Sequence, residues 1–230
     1  MTGVDIHAVA ADDLRRTCEA LHERGGRMQM AYGWEPEPGR VEVRYLATPG
    51  DREGFELWRC DASAGSLPSL ADSAPTLSWY EREIRDLFGV QFDDHPQPVP
   101  LVLHEGVRPR CPPLLRSHRV DEPLPFSRAP WHEPALEAED VQRLPFGPVR
   151  ADVMESAQFV FYYLGEGILH YYPRLFFKHR GLEKRFEGMR ADLGVVLAER
   201  VSGVGSLCHA LAYCQAIEAA ARCVVPPRAR

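Results

Sequence analysis

Proline is spread unevenly along this 230-residue chain, and that unevenness limits the folds open to it. Ten of its 20 prolines fall between residues 96 and 134. Proline lacks an amide donor and fixes φ, so this stretch cannot be a regular helix or a central strand. It reads as an extended connection, partly polyproline II. The chain then divides into a front segment, residues 1–95, a Pro-rich connection, 96–144, and a back segment, 145–230. That length holds one good core, or one domain and part of a second. Apolar residues make up 45% of the chain, which places it among folded rather than disordered sequences.

The front segment has the pattern of an α+β fold. Leu14, Cys18 and Leu21 recur one helical turn apart behind Asp12 and Asp13, which can cap a helix start, and Gly25-Gly26 ends that helix. A strand is expected through Met28, Met30 and Tyr32. Val41, Val43 and Tyr45 alternate with Glu42 and Arg44, and Phe55 and Leu57 with Glu56 and Trp58, the period of half-buried strands. Pro49-Gly50-Asp51 supplies the turn between them. A second helix is signalled by Ser78 and Glu81 at capping-box spacing. Leu77, Tyr80, Ile84, Leu87 and Phe88 share one of its faces, and Gly89 stops it. Helix, strands and helix in this order predict an antiparallel sheet with helices on one side. In the back segment, Phe159–Leu164 and Ile168–Phe177 read as a hairpin around Gly165-Glu166-Gly167. Two helices should follow, marked by Leu193, Val196 and Leu197 and by Leu207, Leu211, Cys214 and Ile217.

Several function classes drop out. A net charge of −6 without a lysine- or arginine-rich block argues against a nucleic-acid surface. No basic start leads into an apolar core, and no stretch approaches the roughly 18–20 apolar residues that span a bilayer. The chain is expected to be soluble and to reach any membrane complex through protein contacts. Its six cysteines include no CxxC pair, so they read as buried small side chains rather than a disulfide scaffold or zinc site.

One motif is specific. Glu81-Arg82-Glu83-Ile84-Arg85-Asp86-Leu87-Phe88-Gly89, followed by His95-Pro96, resembles the signature of the complex I 30 kDa family, the C-type subunits of respiratory-chain NADH dehydrogenase. It departs from that pattern at Val99. The likeness covers roughly residues 5–125, and Pro100 to Gly106 resembles its hydrogenase-linked branch. By themselves these charges read as a solvated helix face, with Glu81–Arg85 an i,i+4 pair worth about 0.3 kcal/mol. The resemblance implies instead that Glu81, Arg82, Glu83, Asp86 and His95 form a docking surface for a neighbouring subunit, with no catalytic residue among them.

A second likeness runs from Phe146-Gly147-Pro148-Val149-Arg150, through Lys178-His179-Arg180-Gly181-Leu182-Glu183-Lys184, to Glu199-Arg200-Val201-Ser202-Gly203. It resembles the N-terminal part of the large subunit of membrane-bound nickel–iron hydrogenases of the hydrogenase-4 and formate hydrogenlyase type, which is homologous to the D-type subunit of complex I. That family carries CxxC and then a histidine where this chain has Ser202, Gly205 and His209. Serine is a poor substitute for a soft thiolate and glycine offers no ligand, so these positions read as vestigial. The family's second CxxC pair is expected beyond residue 230. The resemblance therefore implies a truncated fusion of C-type and D-type subunits with no metal site of its own. The quinone-reducing branch has a histidine in the hairpin that here begins Pro148-Val149-Arg150-Ala151-Asp152, and a tyrosine near Gly203. Both are missing, and His170 and His179 remain as candidate cavity residues.

The expected role is a scaffold and docking subunit of a membrane-associated NADH:quinone oxidoreductase- or hydrogenase-like electron-transfer complex. It would be peripheral on the cytoplasmic side and bind no cofactor itself. A small iron–sulfur subunit and membrane subunits would carry the iron–sulfur clusters, NADH or quinone. The alternatives are a part in a quinone- or proton-handling cavity, and a degenerate fragment without function.

Overall fold

The structure is a computed structural model that describes residues 4–107, 109–119, 121, 125–127, 136, 138, 140–149 and 155–229. It contains two compact units, Met1–Pro148 with Ser156–Phe177, and Val149–Glu155 with Lys178–Arg230.

The first unit opens with β1 (Val4–Ala8), α1 (Leu14–Glu23), β2 (Arg27–Glu37), β3 (Arg40–Thr48) and β4 (Phe55–Asp61). These strands form one sheet in the order β1-β4-β3-β2. The β2–β3 and β3–β4 pairs are antiparallel, as the alternation predicts, and β1 adds a parallel pair with β4. The short strands β5 (Ser66–Pro68) and β6 (Gln91–Asp93) flank α2 (Ser78–Phe88) and pair in parallel. Helices α1 and α2 lie on one face of the large sheet. Leu14, Cys18, Leu21 and Ile84 pack there against Val43, Tyr45, Trp58 and Cys60. The helix spacing of the sequence is therefore the core pattern.

Three expectations are corrected by packing. In β4 the inward side chains are Glu56, Trp58 and Cys60, and Phe55 is exposed. Register with β3 sets this: Trp58 pairs with Tyr45 and Cys60 with Val43, so Phe55 and Leu57 turn outward. Neither α1 nor α2 has a side-chain N-cap, so Asp13 and Ser78 do not cap. Glu81 is not half of a capping box; its carboxylate is used elsewhere. Gly89 does stop α2, in the left-handed conformation at φ 80°. Gly33 of β2 lets α2 approach closely, since a Cβ there would lie 2.3 Å from a Phe88 ring carbon.

Three further strands belong to this unit: β7 (Gln142–Phe146), β8 (Gln158–Leu164) and β9 (Gly167–Arg174), in the order β7-β8-β9. The expected hairpin is β8–β9, and β7 extends it. Pro145 is tolerated because β7 is an edge strand. This sheet is tied to the Pro-rich segment. Arg174 pairs with Glu105 at 2.7 Å, His104 Nε2 donates to the Leu175 carbonyl at 2.8 Å, and Phe176 packs with Leu87, Leu101 and Val102. Those contacts place β7–β9 with the front of the chain, so compactness divides the molecule at other positions than the proline count does.

The second unit holds α3 (Leu182–Phe186), α4 (Ala191–Ala198) and α5 (Ser206–Ala220). Phe186 stacks on Tyr213 with ring centres 5.6 Å apart, and the Tyr213 hydroxyl donates to the Ala191 carbonyl at 2.8 Å. No described helix is long and apolar enough to cross a membrane.

Candidate functional site

A proline-rich segment leaves carbonyls and amides that no helix or sheet ladder can take up, and buried backbone groups must find partners. Helix α2 supplies them. Arg82 donates from Nε to the Val99 carbonyl and from Nη2 to the Pro100 carbonyl, each at 2.9 Å, and Arg85 donates to the Pro98 carbonyl. One oxygen of Asp86, Oδ2, accepts the successive amides of Leu101, Val102 and Leu103 at 2.8, 2.8 and 3.1 Å. Three consecutive amides on one carboxylate form a nest that suits a full negative charge. Arg82, Arg85 and Asp86 lie within one turn of each other, so the segment from Pro98 to Leu103 runs along α2 and is held at each step.

His95 fixes the start of that segment. Its Nδ1 accepts the Gln97 amide at 2.9 Å, and its Nε2 lies 3.1 Å from the Ser78 carbonyl, which only an N–H can satisfy. The ring is therefore neutral, with its proton on Nε2. Burial lowers its pKa, and Arg82 and Arg85 add to that against the Ser78 carbonyl.

Glu81 points the other way, into the fold. It is fully buried, accepts the Ser69 hydroxyl at 2.6 Å and the Leu70 amide at 2.8 Å, and lies 3.8 Å from His95 Nε2. The Ser69 amide donates to the Asp93 carbonyl at 2.9 Å, which anchors this loop on β6. Burial pushes the Glu81 carboxyl up to about 7, against the bonds from Ser69 and Leu70. The two groups shift in opposite directions, so near neutral pH this is a carboxyl beside a neutral imidazole rather than an ion pair. Glu81, Arg82, Arg85, Gln91, His95 and Pro98 line a small pocket here. The arrangement can bind and release a proton; no nucleophile is poised in it.

The sequence-predicted site thus divides. Glu81, Arg82, Asp86 and His95 come together around α2, but Glu81, Arg82 and His95 are buried and their hydrogen bonds stay within the chain, whereas a surface was expected. Glu83 is half-buried. The expected Glu81–Arg85 pair gives way to the Ser69–Leu70 loop for one residue and the Pro98 carbonyl for the other. Sequence reasoning missed Ser69 and the partner segment. The usable signal was the prolines that follow a short helix carrying Arg82, Arg85 and Asp86.

In the second unit, His209 sits in the first turn of α5, and a Cβ at Gly205 would meet its ring at 3.3 Å. Ser202 precedes them and is itself half-buried. One hydroxyl and one glycine at the positions where thiolates would bind do not fit a nickel–iron group. Among the described residues, no three His, Cys, Asp or Glu side chains gather in a way that could hold a metal ion. His170 lies between Tyr162 and Tyr172, with ring centres 6.3 and 5.9 Å away, and His179 lies 3.9 Å from Glu183. Arg150, Ala151 and Asp152 of the expected quinone hairpin lie outside the described residues.

Comparison with known proteins agrees with the signature. The family model of the respiratory-chain NADH dehydrogenase 30 kDa subunit matches residues 7–123, just over half of the chain. The chain is 29% identical to formate hydrogenlyase subunit 5 of Escherichia coli over 91% of its own length and 38% of that protein. It is 31% identical to the C/D subunit of NADH-quinone oxidoreductase from Gluconacetobacter diazotrophicus over 74% of the chain and 31% of the relative. Hydrogenase-4 component G of Escherichia coli is 32% identical over the same two shares. The chain spans about a third of the length of these curated relatives. Among solved structures, the trypsin-resistant fragment of Nqo5 is 21% identical, with a TM-score of 0.34, over 39% of this chain and 79% of that one. The chain belongs to the respiratory-chain NADH dehydrogenase 30 kDa subunit family.

Proposed function

We propose that this chain is a scaffold subunit of an NADH:quinone oxidoreductase- or hydrogenase-like electron-transfer complex. Its front part acts as the 30 kDa, C-type subunit, and its back part corresponds to the start of the D-type subunit. The signature helix gives the Pro-rich segment one fixed shape, so that the segment and the sheets around it can be recognised by neighbouring subunits. Redox cofactors belong to those neighbours: iron–sulfur clusters on a small subunit, with NADH or quinone elsewhere in the complex. The chain would sit at the membrane periphery on the cytoplasmic side. The observation that carries this reading is the Asp86 nest with Arg82 and Arg85, which uses the signature's charges on the chain's own backbone. The relatives' names support the type of complex.

The test is Asp86→Ala in the native host, reading complex assembly on a native gel and electron-transfer activity separately. Loss of assembly, with activity falling in proportion, supports the scaffold. Full assembly with activity lost overturns it. A second reading has its own observation, the buried Glu81 carboxyl 3.8 Å from His95 in the wall of a pocket. There the chain takes part in proton handling. Glu81→Gln that assembles normally but loses activity favours it, and normal activity rejects it.

A further inference from the structure

The face of the four-stranded sheet opposite α1 and α2 has the wrong composition for water. An antiparallel sheet with one wet face alternates apolar with polar. Here the outward positions follow from register. Ile6 pairs with Leu57, Leu57 with Leu46, and Leu46 with Met30, so one aliphatic row crosses all four strands. Val4 and Phe55 extend it on one side, and both are exposed; Ile6 is 62% exposed. Two residues further along the strands the row changes character. Arg59 pairs with Arg44, and Arg44 with Tyr32. Beyond that lie Glu42 and Trp34, with the Arg44 guanidinium 5.1 Å from the Trp34 ring centre.

The charges on this face do not balance. Glu42 is buried and meets Arg59 at 2.8 Å, Arg44 at 3.1 Å and Arg40 at 3.3 Å. Asp61 reaches Arg40 only at 3.9 Å and is itself exposed. Glu37 is the cross-strand partner of Arg40, so Arg44 and Arg59 share the one carboxylate of Glu42. Arg59 keeps 42% of its side chain exposed, so its guanidinium remains open to a further anion.

We propose that this sheet face docks an amphipathic helix of a partner protein, with its apolar ridge on Leu57, Leu46 and Phe55 and a carboxylate against Arg59 and Arg44. A helix laid along β3 and β4 crosses the apolar row first and the arginine row next. The two rows are about 7 Å apart, two residues of strand, and a helical turn rises about 5.4 Å. The fitting helix therefore carries large apolar residues at i and i+4 and an Asp or Glu about one turn further on. Burial of the aliphatic row supplies affinity, and the arginines set direction and register, as charged groups at interfaces do. This extends the scaffold reading by naming the surface and the chemistry of its partner.

The test uses the full chain in its native host, with a photo-crosslinking benzoylphenylalanine in place of Phe55. The cross-linked peptide is sequenced, and its yield is compared in Arg59→Gln and Ile6→Asp backgrounds. Both substitutions are at exposed positions, and unchanged thermal midpoints confirm folding. The expected result is an adduct on a partner segment with apolar residues followed one turn later by Asp or Glu. Its yield should fall at least fivefold in each background. No adduct, an adduct on a second copy of this chain, a segment without the acidic residue, or a smaller fall in either background overturns the inference. If Asp86→Ala blocks assembly while Ile6→Asp leaves it intact, the docking inference fails and the scaffold reading stands.

Discussion

Glu81 and His95 place opposite demands on pH. The Glu81 pKa is raised from 4.5 to about 7 by burial, so the folded state holds its proton more tightly than the unfolded chain does. That contribution is complete below about 4.5 and is lost as pH rises through 7. Its full size is about 3 kcal/mol from the shift, at 1.4 kcal/mol per pH unit. His95 is lowered by burial, so its contribution is present above 6.5 and is lost as pH falls through its folded pKa. Protonation at Nδ1 also breaks the bond from the Gln97 amide. Glu81→Gln keeps the side-chain shape and removes the alkaline loss. Denaturant unfolding at pH 6 and pH 8.5 should show the wild type losing about 1.5 kcal/mol between them and the variant little. Equal losses in both proteins would mean that Glu81 titrates normally. None of this was legible in the sequence. The spacing of Ser78 and Glu81 suggests a capping box, and only the fold brings Ser69 to the same carboxylate.

At the scale of elements, the legible parts were those whose side chains obey one period. Leu14, Cys18 and Leu21 all reach the core, and so do Val41, Val43 and Tyr45. Strand β4 defeated that reading because it offers large apolar residues at both parities, Phe55 and Leu57 against Trp58 and Cys60; register with β3 decides between them. Strand β1 carries Asp5 and His7 between its apolar residues and gains its place only by pairing with β4. The contact between α2 and β2 depends on Gly33. Gly33→Ala would put a methyl group against the Phe88 ring, and overpacking of this kind costs about 1–3 kcal/mol. Thermal unfolding should show a midpoint several degrees lower for Gly33→Ala, with recovery in the Gly33→Ala, Phe88→Leu double variant. An unchanged midpoint in the single variant would mean that α2 sits further from the sheet.

For the whole molecule, the two units differ in how they treat apolar surface. The first buries a continuous core of Leu, Val, Tyr and Trp side chains. In the second, α5 is apolar on all sides; Leu207 is 81% exposed, and Leu211, Leu193 and Val196 are more than half exposed. Exposed apolar clusters of that kind favour association. Sedimentation of the full chain should show self-association that weakens in the Leu207→Gln, Leu211→Gln double variant without a lower unfolding midpoint. Self-association unchanged in that variant would assign it to another surface. The sequence signalled these helices correctly by their spacing, but not which faces would remain open, because α5 has no polar face to mark the outside.

The central claim is that the signature of α2 is spent on the chain's own Pro-rich segment, and the most direct measurement is amide hydrogen exchange at Leu101, Val102 and Leu103. In the wild-type full chain these three amides should be protected although they lie outside any helix or strand. In Asp86→Ala their protection should fall to that of an open loop, by roughly 10–100-fold for the loss of about 1.5–3 kcal/mol of charged hydrogen bonding. Amides of α1, from Leu14 to Glu23, should stay protected. Fast exchange at the three amides in the wild type, or protection that survives Asp86→Ala, would contradict the account.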